Sequence, residues 1–222
     1  MKLPVSTSRR ARARSRLAPA RPRKKQAYHH GDLRRALVDA ALGLVARSGT
    51  GAVTLREVAR HAGVSHAAPY RHFADKEALL AAVATEGFRA LQEEMVAAAT
   101  AATGPRARFQ ATGIAYVHFA TNHPAHYRVM FGAAVAPSDD LELQNAGQAA
   151  FQVLTDAIAA CQQTGVVRGG AIEPLAIAAW SIVHGLSMLL IDGKLVGLGH
   201  APDAAALAHK LTTLLQEGLG AG

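Results

Sequence analysis

Apolar residues recur at helical spacing along most of this chain. From Asp32 to Ser48, Leu33, Ala36, Leu37, Ala40, Ala41, Leu44 and Val45 follow the i, i+3, i+4, i+7 rule, and Gly49 ends the helix they predict. In the next stretch, Val53 to Leu80, Thr54 has the chemistry of an N-cap, and Leu55, Val58 and Ala59 share the face behind it. Gly63 stands where a positive φ ends that helix, and Val64 can plug between neighbours. Ser65 then caps a second short helix, His66 to Phe73, and Asp75 caps a long one from Lys76 to about Thr100, striped by Leu80, Val83, Ala84, Gly87, Leu91 and Met95. At about 1.5 Å per residue that helix is long enough to join two domains.

The pattern stays helical to the end. A helix over 105–122 follows the Gly104-Pro105 break, and Pro124 opens a short one that Gly132 closes. Gly132 to Ser138 reads as a loop. Asp139, with Glu142 three residues on, resembles a capping box for a helix reaching Gln163. Pro174 sits in the first turn of a helix to Ile191, and a last one follows Pro202 and fades at Gly218. The expected fold is all-α, with about nine helices, no strand signal and no internal repeat. The expected units are a basic tail (1–26), a three-helix domain with a helix-turn-helix (27–75), and a helical domain (76–222) entered through the connecting helix 76–100.

What the short second helix leaves outside points to a partner. His66, Ala67, Ala68, Tyr70, Arg71 and His72 offer little to bury. Small residues at 67 and 68 let a helix sit deep in a major groove, His66 and Ala67 can face base edges, and Tyr70, Arg71, His72 and Lys76 can donate to phosphates. Thr54 and Ser65 complete the expected DNA-facing set. The segment resembles the DNA-binding domain of TetR/AcrR-type transcriptional regulators. The likeness rests on the turn Ala62-Gly63-Val64-Ser65, on Tyr70, His72 and Phe73, and on the helix start Lys76, Glu77 and Leu79. One departure is Pro69, where the family carries a larger apolar residue. As the fourth helical position it removes a backbone hydrogen bond and disfavours helical geometry at Ala68, so the first turn is expected to tighten or start late.

Charge changes the picture at one end only. Residues 1–25 hold ten basic and no acidic side chains, and the rest of the chain carries 14 basic against 16 acidic, so the formal +8 belongs to the tail. Two readings fit it equally: an arm that grips DNA, or a solvated segment. No 7–15-residue apolar segment follows it, as a signal peptide would need, and no apolar run is expected to cross a membrane. The single Cys161 excludes an internal disulfide and suits a reducing cytoplasm. As a residue it reads as a small buried side chain.

The second half carries another resemblance. Trp180-Ser181-Ile182-Val183-His184-Gly185, followed by Leu189-Leu190-Ile191-Asp192-Gly193, is similar to the effector domain called WHG, as are His123-Pro124 and Tyr127-Arg128-Val129-Met130-Phe131. The two resemblances together cover about residues 28–217. They imply a small-molecule effector. The aromatic and polarisable residues Tyr116, Phe119, Tyr127, Met130, Phe131, Trp180 and His184 are its expected contacts, although the same residues also make an ordinary core. The resemblance further implies a homodimer through a four-helix bundle of the helices at about 140–163 and 174–191. Ala176, Ala179, Ser181 and Gly185 would permit close approach there, and Phe151, Leu154 and Ile158 would add apolar area.

No catalytic set stands out: there is no Gly-rich phosphate loop, nucleophile elbow or His-Glu-x-x-His. The acidic residues lie mostly at helix ends, where capping explains them. His118, His123, His126 and His184 match no strong metal spacing. The plainer expectation has His118 and His184 buried and hydrogen-bonded, with His123 and His126 near a surface. No metal, cofactor or enzymatic activity is expected. The function implied is a dimeric regulator, a repressor released from a palindromic double-stranded operator by a small molecule. The alternative is a helical small-molecule-binding or enzymatic protein that binds no operator.

Overall fold

Eight α-helices follow one another in the computed structural model, which describes residues 30–133, 135, 139–196 and 203–220. They are α1 (His30–Ser48), α2 (Leu55–Ala62), α3 (Lys76–Ala101), α4 (Pro105–Asn122), α5 (Pro124–Met130), α6 (Leu141–Gln163), α7 (Ile172–Ile191) and α8 (Ala204–Leu219). Among the described residues, the extended backbone pairing is a single antiparallel bridge between Val167 and Gly220. The Arg168 amide donates to the Leu219 carbonyl beside it, so the end of α8 is tied to the turn between α6 and α7. The basic tail, with Tyr28 and His29, lies outside the described residues.

The local signals before α3 act as their chemistry predicts. Thr54 Oγ1 accepts from the Glu57 amide at 3.2 Å, and Asp75 Oδ1 accepts from the Ala78 amide at 2.8 Å. Each satisfies an N–H that has no partner inside its helix. Gly63 adopts φ 68°, a left-handed conformation, and lets the Val64 amide reach back to the Ala59 carbonyl. Val64 then packs against the main apolar cluster.

The expected helix from His66 to Phe73 does not form as an α-helix. A turn is followed by one turn of 3-10 helix over Pro69–Arg71. Ser65 gives its carbonyl to Ala68 across three residues rather than serving as a side-chain cap. Pro69 has no N–H to extend a four-residue ladder, and its ring is buried, so the tighter winding holds. This segment accounts for eight α-helices where nine were expected. At α6 the cap is Asp140 rather than Asp139: its carboxylate takes the amides of Glu142 and Leu143, which moves Glu142 out of capping-box register.

The core is organised along α3. From Leu79 to Thr85 every residue is buried, and α1, α4, α5 and α6 all pack on α3, with α6 meeting its second half at Phe88 and Arg89. Each fully buried Leu or Val contributes roughly 1.5–3 kcal/mol. One apolar cluster therefore runs from Leu37 and Val45 on α1, through Leu80 and Val83, to Val117 and Phe119 on α4. Arg34 lies over the Phe73 ring at 5.4 Å and closes the cluster at the α1 side. A second cluster, around Phe109, Ile158, Ala176 and Leu215, fills the space among α4, α6, α7 and α8. Contrary to the expectation from the sequence, α7 is long and apolar enough to cross a bilayer by length and composition. Its buried side packs on α4, α6 and α8, which suffices to explain an apolar helix at this place.

Replacing Gly63 by Ala forces a Cβ into the left-handed region and should cost about 1–2 kcal/mol. Gly51, exposed and with ordinary φ, is the control, and its change to Ala should stay within about 0.5 kcal/mol. Urea unfolding of the two variants checks both values.

Candidate nucleic-acid interface and ligand cavity

The loop between α2 and α3 presents polar side chains outward from an apolar foot. Pro69 and Phe73 are buried, while Ser65, His66, Ala67, Tyr70 and Arg71 are exposed. Ala68, His72 and Lys76 are half-buried. Tyr70 is 57% exposed, unusual for so large a ring. Thr54, exposed at the start of α2, spends its hydroxyl oxygen as a cap. Glu57 is occupied by Arg60, whose guanidinium donates to it at 2.7 Å and holds the carboxyl below its usual range. Glu57 is thus paired, and Asp75 spends a carboxylate oxygen on the Ala78 amide, so the exposed His66 and Arg71 and the half-buried Lys76 share this surface with Asp75 and Glu77.

Behind α3, about 20 Å along its axis from Lys76 at about 1.5 Å per residue, the helices part around a cavity of about 380 Å³. Phe88, Leu91 and Met95 on α3 form one wall, Thr112, Gly113 and Tyr116 on α4 another, and Phe151, Leu154, Trp180 and Val183 on α6 and α7 the rest. Phe131 closes one end, and the exposed Gln148 marks the mouth. Gly113 has no room for a side chain, since a Cβ there would stand 2.8 Å from the Thr212 methyl on α8.

Four polar groups meet at the wall next to Phe131. Trp180 Nε1 donates to the Tyr116 hydroxyl at 3.0 Å, which lies 3.1 Å from the Tyr127 hydroxyl. His184 Nδ1 is 2.7 Å from the Tyr127 oxygen and 3.0 Å from that of Tyr116. Burial pushes the Tyr116 hydroxyl far up and the Tyr127 hydroxyl up to about 12, with hydrogen bonds from Tyr116 and Ser187 opposing the latter shift. Burial also lowers His184 below the ordinary imidazole value, which favours the neutral ring.

The sequence-level comparisons bear on both regions. The family model described as bacterial regulatory proteins, tetR family, matches residues 37–83. The model described as tetracyclin repressor-like, C-terminal domain, matches residues 109–215. The chain belongs to the TetR family of transcriptional regulators. The HTH-type transcriptional regulator BetI of Rhizobium meliloti is 47% identical over 78 residues, 35% of this chain and 38% of that protein. The chain thus matches well under half the length of that relative. A Rhodococcus sp. RHA1 protein of unknown function is 33% identical, over 89% of this chain and all of that one, with a TM-score of 0.77. A tetR-family regulatory protein of Rhodococcus RHA1 shares the fold with a TM-score of 0.69, at 24% identity over 86% of this chain and 98% of that one.

Within this TetR-family protein, the expected effector contacts divide. Tyr116, Phe131 and Trp180 line the cavity. Tyr127 and His184 stand behind them, reaching the cavity wall through the Tyr116 hydroxyl. Phe119 is buried against the His123 ring at 5.0 Å, and Met130 packs where Gly87 leaves space on α3. Phe88, Thr112 and Gly113 were not anticipated, since cavity walls and cores draw on the same residue types. Of the residues expected between protomers, Phe151 and Leu154 line the cavity and Gly185 is half-buried. Ile158, Ala176 and Ala179 are buried inside the chain, because apolar spacing marks a buried face without saying whose partner buries it. The outward apolar residues of α7 are instead Ile177 and Leu189.

The histidines need one correction as well. His118 is exposed and pairs with Glu94 at 3.2 Å, while His123 reaches the other oxygen of the same carboxylate at 3.5 Å. Among the described residues, no group of three or more His, Cys, Asp or Glu side chains converges to hold a metal. Cys161 is buried, and burial raises its thiol.

His184 and His126 are both lowered by burial, His126 with help from the charges of His123 and Arg35. The unfolded chain then takes up protons first as pH falls below the ordinary value of 6.5. Stability should decline as the pH falls below about 6.5. In urea unfolding at stepped pH, His184→Gln and His126→Gln should each flatten part of the decline.

Proposed function

We propose that this TetR-family regulator is a ligand-released repressor that acts as a dimer on a palindromic operator. The observation carrying the reading is that one helix, α3, serves both regions: Asp75 and Lys76 start it beside the exposed donors, and Phe88, Leu91 and Met95 wall the cavity farther along. Its length of about 39 Å at about 1.5 Å per residue is rigid on the scale of the molecule, because seven consecutive buried residues clamp its first half. A ligand that spreads the cavity walls shifts α3 against α4 and α6, and the donors move with the start of α3. Two such units match two half-sites at only one spacing, so a small displacement favours the unbound population.

In this reading Tyr70, Arg71, His72 and Lys76 hold phosphates, with Thr54 and Ser65 at the edge of the contact. His66, Ala67 and Ala68 approach the bases. The 3-10 winding at Pro69–Arg71 turns Tyr70 outward, which suits a phosphate contact better than a base contact. The second copy is met through the outward faces of α7 and α8, where Ile177, Leu189 and Leu214 are exposed.

The test uses DNA that the protein selects from a random pool. Fluorescence anisotropy titrations should show affinity falling steeply with salt, and Lys76→Ala should weaken binding on every sequence and lower the slope of log K against log[salt] by about one. His66→Ala should leave that slope unchanged and alter which sequences are preferred. Affinity untouched by either change would contradict the interface, and no selected DNA at all would contradict the repressor reading.

A further inference from the structure

The polar groups around the cavity are already engaged with one another, and this restricts what can bind there. Trp180 Nε1–H is spent on Tyr116. The 2.7 Å between His184 Nδ1 and the Tyr127 oxygen suits O–H···N better than N–H···O; taking Nδ1 as the acceptor there, and so also facing Tyr116 at 3.0 Å, sends the Tyr116 hydrogen to the Tyr127 oxygen at 3.1 Å. The run Trp180, Tyr116, Tyr127, His184 is then a one-way chain with a donor at one end and an acceptor at the other, and every hydrogen in it has a partner. Thr112, the other enclosed hydroxyl, donates to the Arg108 carbonyl at 2.9 Å within its own helix. What Tyr116 and Thr112 can still offer the cavity is oxygen lone pairs.

The remaining walls offer no charge. Neither a cationic nor an anionic side chain lines the cavity, and Gln148 stands at its mouth. A carboxylate or phosphate would enter without a counter-charge and would face oxygen lone pairs. A ketone would face the same lone pairs and leave its carbonyl unpaired in an apolar site, which is costly. A hydroxyl or N–H on an apolar body meets an acceptor that is already in place.

Size narrows the class further. An apolar protein cavity of roughly 150 Å³ accepts benzene, or about 25 Å³ for each ligand heavy atom. At that density the cavity of about 380 Å³ holds about 15 heavy atoms.

We propose that the cavity takes a compact, neutral, largely apolar alcohol, phenol or aromatic amine, and that Tyr116 selects it by accepting the ligand's hydrogen bond. This rests on the effector reading above. Trp180, Tyr127 and His184 are positioning residues: they fix the direction of the Tyr116 hydroxyl and keep its hydrogen away from the ligand.

Three probes of matching size and shape separate the outcomes: benzhydrol, which donates, benzophenone, which only accepts, and diphenylmethane, which does neither. Calorimetric titration of the full chain should show benzhydrol binding about tenfold more tightly than benzophenone. Tyr116→Phe removes the acceptor and also frees Trp180 Nε1–H beside the cavity, so the preference should reverse in favour of benzophenone. A fold check by circular dichroism accompanies the variant, and the comparison in the unaltered protein stands without it. Benzophenone or diphenylmethane binding best to the unaltered protein would overturn the donor rule and leave the effector cavity standing. If Tyr116→Phe weakens all three alike, the residue is structural and the proposal fails. If none of the three binds, the effector reading of the cavity fails with it.

Discussion

The clamp on α3 is the constraint on which the rest depends. Leu79 to Thr85 are all buried, so this stretch cannot rotate or slide without disturbing the helices packed on it. The same apolar cluster runs without a break from α1 to α4, so the N-terminal helices are not hung on a hinge. Beyond Thr85 the helix is less enclosed, and it is there that Phe88, Leu91 and Met95 meet the cavity. The first half of α3 is thus enclosed by the core, and its second half borders the cavity. The ion pairs across its surface add little to the clamp: Arg89 with Glu142 is exposed, and Arg35 meets the half-buried Glu86 only at 3.8 Å.

The cavity and the core differ by the fit of their neighbours rather than by composition. Gly87 and Gly113 both let a neighbouring side chain close on a helix: Met130 fills the space at one, and the Thr212 methyl does so at the other. Where Gly147 faces Phe88 the gap is wider, and a Cβ would still sit 3.9 Å from the ring. The tyrosine, histidine and tryptophan network then makes the cavity selective. Two buried tyrosines and the half-buried Trp180 and His184 satisfy one another there, and no buried side-chain polar atom among the described residues lacks a partner.

Much of the fold was legible because helix ends are written in local chemistry. Thr54, Gly63, Asp75, Gly104-Pro105 and Pro124 mark boundaries whose reasons lie within a few residues, and the stripe from Leu80 to Met95 is buried as its spacing implies. The turn before α3 was legible in part: Pro69 announced a disturbance, but not that the winding would become 3-10 over Pro69–Arg71. The site was harder to read. Trp180, Phe131 and Tyr116 could be proposed from their chemistry, but Phe88 and Thr112 face a cavity only because of how distant helices meet. Ile158, Ala176 and Ala179 show the same limit from the other side, since periodicity identifies a buried face but not the element that covers it.

The central claim is that the cavity and the DNA-facing donors are two ends of one equilibrium. Linkage makes this measurable in either direction, because a ligand that lowers DNA affinity must itself be bound more weakly, by the same factor, when DNA is present. The direct measurement is the affinity of the tightest-binding diphenyl probe for the full chain, with and without saturating selected DNA. The account predicts that DNA weakens probe binding, and that the probe weakens DNA binding by an equal factor. Probe affinity unchanged by DNA would contradict it.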